Sequence, residues 1–263
     1  MSADAANSKV LALLNREVAL EALDALAFAL RPEPSTIPLN ETAIAFDANV
    51  FLRLGSHAKG ADIVDYLRTG HGAPVILPGQ VIQEFWNNQF TAVDSLAVGI
   101  KKRYDQLKAD VEKVDGAFGP FADRFSALLD DFQGSYGYIY DEATVRRMDA
   151  FLDMLKQKAT VPFAPRQLFS HTALLRKKTK TPPGFKDDGD GDFFVWADLL
   201  VGLQHALDAG STFGRVVLVS QEKKIDWNRE GTAHPILAAE MKALTGATFE
   251  IWPIDRLARE VAP

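Results

Sequence analysis

The chain has 263 residues, 47% hydrophobic and 24% charged, an ordinary globular composition that can bury about 70–75% of the unfolded surface without a covalent staple. Cysteine is absent, which excludes disulfide frameworks, thiolate zinc centres, iron–sulfur ligation and cysteine nucleophiles. The 29 basic and 35 acidic residues leave a formal charge of -6, which argues against coating nucleic acid by bulk electrostatics.

The beginning of the chain has no basic segment before its first apolar run, and Arg16, Glu17, Glu21 and Asp24 interrupt that run. Neither a signal peptide nor a membrane span is expected, and a cytoplasmic location is. Lys9 to Leu30 reads as one amphipathic helix, ended by Arg31-Pro32-Glu33-Pro34, so residues 1–34 form an N-terminal helical unit. Its apolar face could cover the rest of the domain, pair with a second copy of the chain or meet a protein partner. The short apolar runs Ala43–Phe46 and Pro74–Leu77 read as strands covered on both faces, with a helix from about Ala58 to Thr69 between them.

Beyond them the pattern is helical from Val81 to about Val114, then near Phe121–Phe132 and Ala143–Ala159. Val161 to Lys186 holds four prolines and reads mostly as loop. Asp192 to Ala209 is apolar nearly all round, as a buried helix is. The β-branched strand Arg215–Val219, a helix over Ala233–Leu244 and a last strand, Thr248–Trp252, follow. Strands alternating with helices predict an α/β fold: a parallel β-sheet flanked by helices over residues 35–263, with a helical insertion at about 101–186 between the second and third strands.

Ligands of open α/β sheets bind beyond the carboxyl ends of the strands. Acids cluster there in this chain. Asp47 follows the first strand, Glu84 lies in the helix after the second, and Glu222 comes three residues after Val219. Asp192 opens the buried helix behind the acidic loop that contains Asp187, Asp188 and Asp190. Taken singly, Asp47 suits an Asx turn, Asp192 an N-cap and Glu84 a solvated helix face. Taken together, converging carboxylates repel unless a hard cation such as Mg²⁺ or Mn²⁺ holds them. Such a site performs metal-assisted phosphodiester hydrolysis. The five histidines have no zinc spacing, and no nucleophile elbow or phosphate-binding loop is present.

Four blocks resemble PIN-like nuclease domains and occur in the family's order. Phe46-Asp47-Ala48-Asn49-Val50-Phe51-Leu52 resembles the opening signature. The second block is Leu77-Pro78-Gly79-Gln80-Val81-Ile82-Gln83-Glu84-Phe85, with Asn88 matching its trailing asparagine. Pro182 to Asp187 with Gly191-Asp192 and Trp196 is similar to the third, and Val217 to Glu222 with Asp226-Trp227 to the fourth. The resemblance implies a PIN-like sheet and a metal-dependent nuclease that usually acts on RNA. It implies Asp47, Glu84, Asp192 and Glu222 as catalytic metal ligands for Mg²⁺ or Mn²⁺. Asn49 would orient Asp47, Ser220 would belong to the Ser-x-acid element, and Glu222 stands where the family usually has Asp.

Arg166, Arg176, Lys177, Lys178, Lys180 and Lys186 occur in a stretch without acids beside the acidic loop. Arg176, Lys177, Lys178 and Lys180 are the candidates for nucleic-acid contact, with single-stranded RNA the expected substrate. Trp86 and Trp227 suit base stacking or core packing. The Asp47 motif is also similar to that of haloacid-dehalogenase-type phosphatases, but Asn49 stands where their second Asp belongs and the late elements come in a different order. A degenerate PIN-like binding module is the remaining alternative.

Overall fold

The computed structural model describes residues 3–33, 35–87, 142–186, 188–221, 224–229 and 231–261, with isolated helical positions at 103, 106, 107, 109, 110, 124 and 127. Much of the helix expected from Val81 to about Val114 and of the one near Phe121–Phe132 lies outside these residues, as do Asn88, Asp187 and Glu222.

The chain is α/β, and its sheet is parallel and five-stranded. The strands are β1 (Thr42–Phe46), β2 (Val75–Ile76), β3 (Ala159–Thr160), β4 (Arg215–Val219) and β7 (Thr248–Trp252), in the order β3-β2-β1-β4-β7. A separate antiparallel hairpin pairs β5 (Asn228–Arg229) with β6 (Thr232–Ala233). Every residue of β1 and β4 is buried. Successive strand side chains point to opposite faces, so helices must cover both.

Two groups of helices do so. α3 (Ala48–Ser56), α4 (Gly60–Thr69), α6 (Glu142–Lys158) and α10 (Ile254–Val261) contact one another. α1 (Ala3–Leu14), α7 (Arg166–Lys178), α8 (Gly191–Asp208) and α9 (Pro235–Thr245) contact one another too. Residues 79–87 are helical and are called α5. Ile44, Phe46, Trp196, Leu199, Val217 and Trp252 are fully or almost fully buried between the layers.

Several elements differ from the sequence expectation. The single helix expected over Lys9–Leu30 is two, α1 and α2 (Ala22–Leu30). The break falls where Arg16 takes a positive φ of 66°, a conformation with no glycine or proline to mark it. Val10, Leu13 and Leu14 of α1 enter the main core, whereas α2 buries no residue fully and exposes Leu23, Leu26, Phe28 and Leu30. The expected loop over Val161–Lys186 contains α7, whose buried Phe169, Thr172, Ala173 and Arg176 follow helical spacing. Residues 142–186, expected within an insertion, supply edge strand β3 and pack in both layers, with α6 against α3 and α4. Among the described residues no helix is long and apolar enough to cross a membrane.

At the end of the sheet opposite Asp47, His71 is buried before β2. Its Nδ1 lies 3.4 Å from the Tyr66 hydroxyl, and its Nε2 has no partner among the described residues. Burial, aided by the Lys158 ammonium, lowers the imidazole from 6.5 to about 4. The folded chain therefore binds this proton less readily than the unfolded chain does. The stabilisation is complete above pH 6.5 and is lost as pH falls towards 4. Between pH 7.5 and 5 we expect His71 to account for a loss of about 2 kcal/mol. Urea unfolding of the wild type and of His71→Leu at both pH values checks this: the variant should lack that share of the pH dependence.

Candidate active site at the carboxyl edge of the sheet

The strand order reverses direction at β1. From β1 the chain moves outward to β2 and β3, then crosses back to place β4 on the other side of β1. The crevice at such a switch point is where open α/β sheets bind ligands. Register pairs Phe46 with Val219, and the Asp47 backbone N–H continues the ladder by donating to the Val219 carbonyl at 3.0 Å. Asp47 and Ser220, the next residue of each chain segment, consequently stand side by side.

Asp47 is the N-cap of α3, with Oδ1 accepting from the Ala48 backbone N–H at 2.6 Å. Its Oδ2 accepts from the Ser220 hydroxyl at 2.6 Å and from Asn49 Nδ2 at 2.7 Å. The Gln221 backbone N–H donates to Asn49 Oδ1 at 3.0 Å, which fixes the amide so that its NH₂ faces the carboxylate. Asp47, read from the sequence as an Asx-turn residue, is thus a helix cap as well as the site residue that the resemblance implies, whereas the cap expected at Asp192 falls at Asp190.

Asp192 sits in the first turn of α8, whose dipole favours negative charge there. Its Oδ2 accepts from Trp227 Nε1 at 2.9 Å and from Lys224 Nζ at 3.0 Å. Trp227 is only 3% exposed and packs edge-on against Trp196, so it belongs to the core. The neighbouring loop is fixed by Asp226, which is fully buried and accepts from the Gly184 N–H at 3.0 Å. Gly184 has a φ of +85°, and a Cβ there would lie 3.2 Å from that of Asp192, so glycine is required twice over.

Glu84 approaches from α5. A Cβ on Gly191 would fall 2.7 Å from Glu84 Oε1, which places this carboxylate against the turn that opens α8. Gln80 Nε2 donates to Glu84 Oε1 at 3.2 Å across one helical turn. Arg166 Nη2 donates to Gln80 Oε1 at 3.3 Å and to Asp198 Oδ2 at 3.0 Å. Asp198 also accepts from Arg166 Nη1 at 2.6 Å and from the backbone N–H groups of Gln80 and Ala164 at 2.8 and 2.7 Å. Gln80, Arg166 and Asp198 thus position Glu84, a role not assigned to them from sequence. The available signal was Asp198 itself, an acid in the middle of the apolar stretch Phe193–Leu203.

The remaining candidates divide by environment. Asp188 and Asp190 are exposed on the acidic loop, and the Asp188 carbonyl accepts from Lys177 Nζ at 2.7 Å. Arg176 is 3% exposed and pairs with the fully buried Glu240 at 2.7 Å, and it also donates to the Pro182 carbonyl. It therefore holds the fold together and is unavailable to a nucleic acid, a correction to its expected role. Lys178, Lys180 and Lys186 are exposed, as is Trp86 on α5.

Among the described residues no group of three or more acids or histidines is close enough to enclose one metal ion. Mg²⁺ does not need such a cage: one or two carboxylates, waters and substrate phosphates suffice. The all-oxygen carboxylates at this edge fit that open kind of site, with Glu222 outside the described residues.

Asp198→Asn should destabilise the chain by about 3 kcal/mol, since Arg166 would lose its carboxylate partner beside a buried helix. Denaturant unfolding monitored by far-UV circular dichroism measures it, and a change below about 1 kcal/mol would contradict the role given to Asp198.

No protein-family model matches this chain, and neither the curated proteins nor the solved structures give a significant match.

Proposed function

We propose that this chain is a PIN-like, divalent-metal-dependent nuclease that hydrolyses phosphodiester bonds, with single-stranded RNA as substrate. The observation that carries the reading is the pairing of Asp47 with Ser220 and Asn49 at the switch point of the parallel sheet, with Asp192 and Glu84 on neighbouring helix starts. Four sequence blocks in the PIN-like order support it independently.

In this reading Asp47, Glu84, Asp192 and Glu222 hold Mg²⁺ or Mn²⁺. The ion supplies a polarised phosphoryl oxygen, a hydroxide from bound water and stabilisation of the leaving oxygen. Asn49 and Ser220 keep the Asp47 carboxylate in place, and the neutral indole of Trp227 does the same for Asp192. Gln80 holds Glu84 against the Gly191 turn. Lys178 and Lys180, exposed at and just beyond the end of α7, would hold the phosphates that flank the scissile bond. The acids and the lysines separate the tasks: carboxylates for the ion, ammonium groups for the polymer.

The phosphatase reading fares worse. Its general acid would stand at Asn49, whose amide cannot deliver a proton and is committed to Asp47 and Gln221.

The test is cleavage of a single-stranded RNA with Mg²⁺ or Mn²⁺. EDTA should abolish it, and Asp47→Asn should lower kcat at least about a hundredfold. Asn keeps the α3 cap through its oxygen, but its NH₂ replaces the oxygen that accepts from Ser220 and Asn49. The variant should therefore stay folded, with a melting temperature a few degrees below the wild type. Activity that survives EDTA, or is unchanged in Asp47→Asn, sinks the mechanism. Absence of both cleavage and divalent-ion binding by calorimetry would favour a binding module.

A further inference from the structure

Asp192 receives two donors on one oxygen, and they differ in kind. The Trp227 indole is neutral, almost fully buried and held edge-on to Trp196, with ring centroids 6.2 Å apart. The Lys224 ammonium carries a full charge on a flexible stem, and its side chain is 35% exposed. A buried indole cannot leave without disturbing the core. An ammonium near the surface can, because water solvates it well and its stem has several rotatable bonds.

A dication at Asp192 and an ammonium 3.0 Å from the same oxygen compete for one negative charge and repel each other. Both cannot be held at full strength. Trp227 raises no such conflict, since it fixes the carboxylate without neutralising it. The two donors therefore have separable effects: one sets where Asp192 is, and the other sets how available its charge is.

We propose that Lys224 is a resident counter-cation of Asp192: it neutralises this carboxylate in the metal-free chain and must withdraw before a divalent ion can use it. The inference rests on the metal-nuclease reading above and names a residue that neither the sequence blocks nor that reading assigns. Lys224 lowers divalent affinity without setting where Asp192 is, and Asp192 is unmasked when the ammonium swings to solvent or to an incoming phosphate.

Titration calorimetry of the full chain with Mn²⁺ tests this. Lys224→Met should bind Mn²⁺ about five- to tenfold more tightly than the wild type, the size of one partly exposed ion pair plus the relieved repulsion. Lys224→Arg keeps the charge and should stay within about twofold of the wild type. Lys156→Met removes an equal charge from an exposed site on α6 and should also leave the affinity within about twofold, which separates a local pair from net charge. Trp227→Phe should act in the opposite direction and weaken Mn²⁺ binding, since Asp192 loses its neutral anchor.

A Lys224→Met affinity equal to or weaker than that of the wild type overturns the inference while leaving the metal site standing. A wild type that gives no Mn²⁺ heat at millimolar concentrations overturns both. Equal tightening in Lys156→Met reduces the effect to net charge and likewise overturns the proposal.

Discussion

The Asp198 carboxylate is the interaction on which the geometry of this chain depends. It lies on α8 with no exposed surface, where an unpartnered charge would be prohibitively costly. Four donors from two chain segments converge on it: two Arg166 nitrogens and the backbone N–H groups of Gln80 and Ala164. Those segments follow β2 and β3, the two strands too short to define their own exits. A hydrophobic residue at this position would keep the helix but leave the Gln80 and Ala164 N–H groups without their acceptor and Arg166 without its carboxylate. The carboxylate thus serves as a template for loops that the two-residue strands cannot position.

A second buried acid holds the other layer. Glu240 on α9 accepts from Arg176 of α7, from Trp196 of α8 at 2.7 Å and from Arg16 between α1 and α2 at 2.5 Å. The two acids grip different sides of α8. At about 100° per residue, Trp196 lies close to the face of Asp192, whereas Asp198 is turned far from it. Trp196 accordingly meets Trp227, the residue that anchors Asp192, while Asp198 reaches towards Gln80 and hence Glu84. One helix, locked from two sides, sets the relation between two candidate ligands contributed by distant parts of the sequence.

This arrangement explains which parts of the chain were legible in its sequence. β1 and β4 were readable because short apolar or β-branched runs bounded by polar residues have few other uses, and β7 because its Phe, Ile and Trp recur in a short run after a helix. Asp47 was readable for the same reason, being the first polar residue after such a run. The two halves of the N-terminal region were not, since the break at Arg16 depends on a backbone conformation that no local residue type announces. In α7, four prolines nearby outweighed the periodicity in between. Phe169, Thr172, Ala173 and Arg176 nevertheless recur at helical spacing, and reading that stripe would have placed Arg176 inside. Its guanidinium looked like a surface charge only because its partner, Glu240, is 64 residues away. Long-range ion pairs between helices leave no mark in a local pattern.

The formal charge of -6 is distributed by the same logic. Asp198 and Glu240 have cationic partners within the fold, so they contribute nothing to a repulsive rim. Asp47 accepts from a backbone N–H, a hydroxyl and an amide, all neutral dipoles. Neutral donors orient a carboxylate and favour its ionised form without cancelling its charge at longer range. Asp192 combines the two regimes through Trp227 and Lys224. Acids gathered at the carboxyl edge of the sheet raise the negative potential there. That potential would repel a polyanion and attract a divalent cation, so on the proposed reading the ion is what makes the edge compatible with a nucleic acid.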